Sequence, residues 1–145
     1  DIVGARGSIS AAIADLSPVS RDRSLPKKYQ AALQTLPIQP FSQPRELPAW
    51  ADIFSDYCLF IRPVDAQEEE AFLSRVQEFL TLHCQLASTS TPTTSNLELV
   101  NVLEGQRHYC TKQQQNDKTR RVLEKSFGPE WTDRYMTTML FDCAA

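Results

Sequence analysis

No run of this 145-residue chain approaches the ~20 consecutive apolar residues that a helical membrane span needs. A soluble, cytoplasmic protein with no membrane contact is therefore expected. Positive charge is also short. Fifteen Lys+Arg against eighteen Asp+Glu leave a formal charge of −3, which argues against bulk electrostatic binding to nucleic acid or an anionic lipid surface. Any charged partner must be met by a local patch. Histidine is scarce: His83 and His108 stand alone, without the paired spacing of a metal site. The four cysteines, Cys58, Cys84, Cys110 and Cys143, form no C-x-x-C, so neither a zinc centre nor a dithiol is written here. They read as reduced core thiols. A phosphate loop, a G-x-G-x-x-G fingerprint and a G-x-S-x-G elbow are all missing. No basic start followed by an apolar run marks a signal peptide. The chain opens on Asp1 rather than Met, inside a strand pattern, so an upstream segment is expected.

What is present reads as part of one α+β domain. Asp1 to Val3 pairs across Gly4-Ala5-Arg6-Gly7 with the alternating stretch Ile9 to Leu16, in which Ile9, Ala11 and Ile13 take the buried face. Pro26 starts a helix through Tyr29, Ala32, Leu33 and Leu36, and Pro37 and Pro40 stop it. A loop carries Gln43-Pro44-Arg45, a short helix covers Leu47 to Phe54, and a strand runs from Tyr57 to Ile61. The longest helix spans Ala66 to Leu86, with Phe72, Val76, Phe79, Leu80 and His83 at helical spacing and Asp65, Glu68, Glu69 and Glu70 at the end the dipole favours. Ser88 to Asn96 is a polar linker. Helices over Leu97 to Gln115, Asp117 to Phe127 and Pro129 to Cys143 follow, punctuated by Asn116 and Gly128.

Three features can carry chemistry. Asp1 precedes two β-branched residues. On a sheet surface its carboxylate would be desolvated, its pKa would rise, and it could act as a general acid; the alternative is a solvated residue. Between Arg107 and Lys125 lie six Lys+Arg and two Asp+Glu, a local +4 on a chain of −3. Lys118, Arg120 and Arg121 there stand near a helix start, against the dipole's preference, which points to an anionic partner or to solvated charge. Arg45, in a constrained loop, can grip a carboxylate through two parallel hydrogen bonds.

The run Ser10-Ala-Ala-Ile-Ala-Asp-Leu-Ser-Pro18, the stretch Arg45-Glu-Leu-Pro48, the strand Tyr57-Cys-Leu-Phe-Ile-Arg-Pro63 and, above all, Asn116-Asp-Lys-Thr-Arg-Arg-Val-Leu-Glu-Lys125 with Arg134-Tyr-Met136 and Leu140-Phe-Asp142 closely resemble the ferredoxin-dependent bilin reductases. The likeness covers nearly the whole chain, apart from the Ser/Thr linker. It implies an antiparallel β-sheet sandwiched between α-helices, seen here as its C-terminal portion. It implies reduction of biliverdin IXα by electrons arriving singly from ferredoxin, with no metal, flavin or other bound cofactor. In the phycocyanobilin-forming branch this is a four-electron reduction through bilin radicals; a sister reductase of different regiospecificity and a non-catalytic bilin-binding module are the alternatives. The resemblance makes Asp1 the proton donor beside the tetrapyrrole. It places Ser10, Arg45 and Lys118 near the propionates, Asn116 and Val122 around the rings, and Phe141 on the pocket wall. Ferredoxins are acidic, so Lys112, Arg120, Arg121 and Lys125 become the docking patch of a monomeric enzyme. The family also has an active-site histidine and glutamate upstream of the Asp1 strand, and this chain holds neither.

Overall fold

Gly7, at φ 80°, supplies the left-handed residue that turns the chain between two antiparallel strands, β1 (Ile2–Ala5) and β2 (Ser8–Ala14). The computed structural model describes residues 1–5 and 7–142, so Arg6 and Cys143 lie outside the described residues. A third strand, β3 (Leu59–Ile61), pairs antiparallel with β2, and the sheet order is β1-β2-β3. The chain divides into two compact units, each described below by itself.

The first unit comprises Asp1–Pro18, Leu25–Ala49 and Phe54–Pro92. In its hairpin Val3 pairs with Ala11 but Gly4 pairs with Ile9, which leaves Ser10 without an opposing residue. This bulge shifts the alternation by one. Ile9 therefore packs with Ala12 and Ala14, not with Ala11 and Ile13 as the plain alternation predicts, around Ile61 and Phe72. Helix α1 (Lys27–Leu33) begins at Pro26 as expected. Helix α2 (Ala66–Ser88) is capped by Asp65, whose carboxylate accepts from the Glu68 amide at 2.8 Å. The side of α2 that is buried carries Phe72, Phe79 and Leu82. Leu80 and His83 of the expected stripe are exposed instead, and His83 Nδ1 meets the Tyr29 hydroxyl at 3.1 Å. Leu25, Leu33, Phe79 and Leu82 form a second buried cluster in this unit.

The second unit comprises Val19–Ser24, Trp50–Ile53 and Thr93–Ala145. Helices α3 (Asn96–Gln114), α4 (Asp117–Phe127) and α5 (Pro129–Tyr135) follow their predicted starts closely. Ser95 and Asn116 cap α3 and α4. The last helix does not run on to residue 143: it widens into a π turn, Met136–Leu140, closed by the Phe141 amide on the Met136 carbonyl at 3.0 Å. The helix predicted over Leu47 to Phe54 is absent, and turns replace it. Ala51 and Ile53 are both buried while Asp52 between them reaches charged partners. A period of two is incompatible with a helix there.

The cysteines depart from the core assignment too. Cys84 is exposed and Cys58 and Cys110 are half-buried. No described helix is long and apolar enough to cross a membrane.

Candidate functional site

In the first unit the structure brings Ser10 and Arg45 together. The bulge at Ser10 frees its carbonyl from the ladder, and Arg45 Nη1 donates to that oxygen at 2.9 Å. Ser10 Oγ donates to the Val3 carbonyl at 2.9 Å. Backbone pairing fixes the Arg45 loop: the Arg45 amide donates to the Phe60 carbonyl at 2.8 Å and the Arg62 amide to the Gln43 carbonyl at 2.9 Å. The guanidinium then lies 5.2 Å from the centroid of the Phe60 ring, a cation–π contact that holds its plane. Arg45, Phe41, Cys58 and Phe60 are among the residues lining a cavity of about 560 Å³. A planar cation on an aromatic floor, with donors left over, suits a carboxylate joined to an apolar body.

Two polar features of this region carried no motif in the sequence. Asp15 accepts from the Ser55 amide at 3.0 Å, the Ser55 hydroxyl at 2.5 Å and the Ser17 hydroxyl at 2.7 Å. Burial, and behind it the Asp15 charge, pushes the Cys58 thiol up to about 12. Cys58 is therefore a protonated, weakly nucleophilic lining group at neutral pH.

Asp1 continues β1 by one rung, its amino group donating to the Ile13 carbonyl and its carbonyl accepting from the Ile13 amide, both at 2.9 Å. Its side chain is exposed. Of the two settings that the strand pattern left open for it, desolvated or solvated, the structure shows the solvated one. The adjacent Ile2 and Val3 are exposed as well.

In the second unit Asn116 Oδ1 accepts from the Thr119 amide at 3.2 Å. Asn116 is thus occupied as a helix cap, which sets the start of α4 and so the direction of everything on it. Lys118, Val122 and Lys125 fall at i, i+4 and i+7, and all three are exposed on one face. Among the described residues Lys118 and Lys125 make no ion pair. Arg121 pairs with Asp117 at 2.7 Å. Arg120 reaches Asp133 at 3.2 Å and Glu124 at 4.0 Å, and Lys112 turns to Asp52 at 3.6 Å. The cations grouped as one patch by sequence therefore have different settings. Lys125 shares the face of Lys118, while Lys112 and Arg120 hold the unit together. Phe141 is half-buried at the end of the π turn, its carbonyl accepting from Gln114 Nε2 at 2.9 Å.

A charge node missed by the sequence reading centres on Asp52. Arg23 Nη1 donates to it at 2.7 Å, and His108 Nε2 and Lys112 Nζ lie at 3.6 Å. Burial works to raise its carboxyl pKa, but Lys112, His108 and Arg23 together outweigh that and hold it below the ordinary 3.8. A carboxyl whose folded pKa is depressed stabilises fully above its unfolded value, and that stability drains away as pH falls through the folded one. Asp52→Asn is expected to lower the thermal midpoint at pH 7, with the gap from the parent narrowing below pH 3.8. A pH series of melting curves checks this. At the node's partial exposure the loss at neutral pH should be about 1 kcal/mol.

Asn116→Ala should cost about 1 kcal/mol of stability through the lost cap, and Asn116→Asp should restore most of it. Urea midpoints of the three proteins check this.

Comparison with known proteins bears on the family. A family model described as ferredoxin-dependent bilin reductase matches residues 1–142. A phycocyanobilin:ferredoxin oxidoreductase of Trichodesmium erythraeum (strain IMS101) is 58% identical over 142 residues, covering 98% of this chain and 58% of that protein. Its counterpart in a Synechococcus sp. strain is also 58% identical, with 57% of its length covered. The chain thus spans less than three-fifths of the length of these relatives. Phytochromobilin synthase from tomato, solved in complex with biliverdin, superposes with a TM-score of 0.63 over 94% of this chain and 50% of that one, at 19% identity. That likeness concerns the fold alone. With its bulged antiparallel hairpin, its Arg45 loop and its capped α4 in place, the chain belongs to the ferredoxin-dependent bilin reductases.

Proposed function

We propose that this chain is the substrate- and ferredoxin-facing part of an enzyme that reduces biliverdin IXα to phycocyanobilin, one electron at a time. In this reading it is a monomer of the cyanobacterial cytoplasm. The observation that carries the reading is the 58% identity, over 142 residues, to phycocyanobilin:ferredoxin oxidoreductases. The geometry supports it from the other direction. An open-chain tetrapyrrole spreads an added electron over its own rings, so the protein has to supply protons, a dry pocket and fixed geometry. The propionates call for cations and hydroxyls, which Arg45, Ser10 and Lys118 offer. Val122 and Phe141 offer apolar contact for the rings, and Asn116 orients the helix that bears two of these groups. Asp1 is the proton donor in this scheme, and each electron that ferredoxin delivers is matched by a proton. No metal, flavin or other resident cofactor takes part.

The test is the product spectrum from biliverdin with reduced ferredoxin. Formation of phycocyanobilin is expected. A different product would assign the chain to a sister reductase, and tight binding without turnover would leave a bilin-binding module. Lys118→Ala should raise the biliverdin dissociation constant about tenfold, the loss of one charge-assisted hydrogen bond, and leave ferredoxin affinity nearly unchanged. Absorption titration and calorimetry separate the two. Equal losses in both would place Lys118 on the partner surface instead.

A further inference from the structure

Three aromatic rings form a continuous stack in the second unit. Phe127 ends α4, Trp131 and Tyr135 follow on α5, and the centroids lie 4.5 Å and 4.7 Å apart. Gly128, at φ 82°, makes this possible: only a residue at ease in that region lets α4 end and α5 restart with Phe127 over Trp131. The stack is not a core. Phe127 is 59% exposed and Trp131 36%, while the chain beyond exposes Met139 and Leu140. Aromatic rows left in water are unusual in a soluble domain and mark contact surfaces.

The charges around the rings indicate what kind of partner. Arg120, bridging Glu124 and Asp133, neutralises two carboxylates close to the stack, and Arg121 neutralises Asp117. Among the described residues of α4 and α5 the side chains left without an ion pair are the cations Lys118, Lys125 and Arg134 and the single acid Glu130. An apolar seat with an excess of free cations is complementary to an acidic protein. Resting on the reading above, in which ferredoxin is the electron donor, we propose that the Phe127–Trp131–Tyr135 stack is the apolar seat on which acidic ferredoxin docks. Lys125 and Arg134, the free cations of α4 and α5 that the propionates do not claim, steer its approach. The rings supply short-range contact area, and the cations supply long-range attraction that salt weakens.

The experiment is calorimetry of ferredoxin with the chain, without pigment, at low and high salt, for the parent, Phe127→Ala and Arg134→Glu. Biliverdin affinity by absorption and helicity by circular dichroism serve as folding controls. The parent is expected to bind, with affinity falling as salt rises. Each variant should bind about tenfold more weakly at low salt, with biliverdin affinity and helicity unchanged. Arg134→Glu tests the surface even if Phe127→Ala fails to fold. Absence of ferredoxin binding by the parent, or parental affinity in the folded variants, overturns the proposal. So does sedimentation showing that the stack instead joins two copies of the chain. A parent that binds ferredoxin but not biliverdin would defeat the functional reading and leave this one standing.

Discussion

Gly105→Ala is expected to lose more than about 3 kcal/mol of stability and to leave little folded second unit at 37 °C. Gly105 lies within α3, buried, and a Cβ there would stand 2.0 Å from the Val19 carbonyl oxygen and 2.4 Å from its carbon. Both are backbone atoms, so no rotamer change relieves the clash. The Val19–Ser24 segment is itself held near α3: the Arg21 amide donates to Asn101 Oδ1 at 2.9 Å, the Arg21 side chain meets Glu104 at 3.5 Å and Arg23 is tied to Asp52. Moving the segment by the ångström or more that a methyl needs would loosen these bonds together. Alanine's better helix propensity, worth about 1 kcal/mol, does not offset that. Thermal melting followed by circular dichroism checks the expectation. A midpoint within about 3 °C of the parent would mean that the two backbones do not approach so closely.

The sequence carried the helices well because their ends are chemical. Asp65, Ser95 and Asn116 each provide a side-chain oxygen three residues ahead of a bare amide, and Gly128-Pro129 stops one helix and starts the next, so α2 to α5 begin almost where they were expected. It failed where two contributions compete within a few residues. The bulge at Ser10 depends on register against β1, which no local pattern encodes, and it reverses which alanines of β2 are buried. The segment around Asp52 has apolar residues that can be read at helical spacing, yet three distant cations draw Asp52 outward and impose an alternation of two. For the site, the residue types were legible and their pairings were not. Arg45 and Ser10 were both singled out and prove to be bonded, but Lys112, Arg120 and Arg121 were grouped by charge alone. Only the fold reveals that each already faces a carboxylate. The aromatic stack was overlooked because its spacing is also that of an ordinary helix core, and exposure is what distinguishes the two.

Asp1→Asn is expected to bind biliverdin as the parent does and to slow product formation by about 10²–10⁴-fold, the range for loss of a positioned general acid. Asparagine keeps the size and hydrogen-bonding shape of the aspartic acid but has no acidic proton to give. An electron can still enter the pigment from ferredoxin, so the first reduced species should form and persist as an organic radical visible by electron paramagnetic resonance, with no matching proton to carry it forward. Substrate affinity should change little, because the cations and hydroxyls assigned to the propionates are untouched. The exposure of Asp1 in this chain makes the test a sharp one. A carboxyl that stays in bulk water has no advantage over water as a proton source, and its removal would alter the rate by less than a factor of about three. A large loss of turnover with a trapped radical therefore requires that Asp1 be shielded when pigment is bound. Unchanged turnover would remove Asp1 from the chemistry and leave the proton to come from solvent or another side chain.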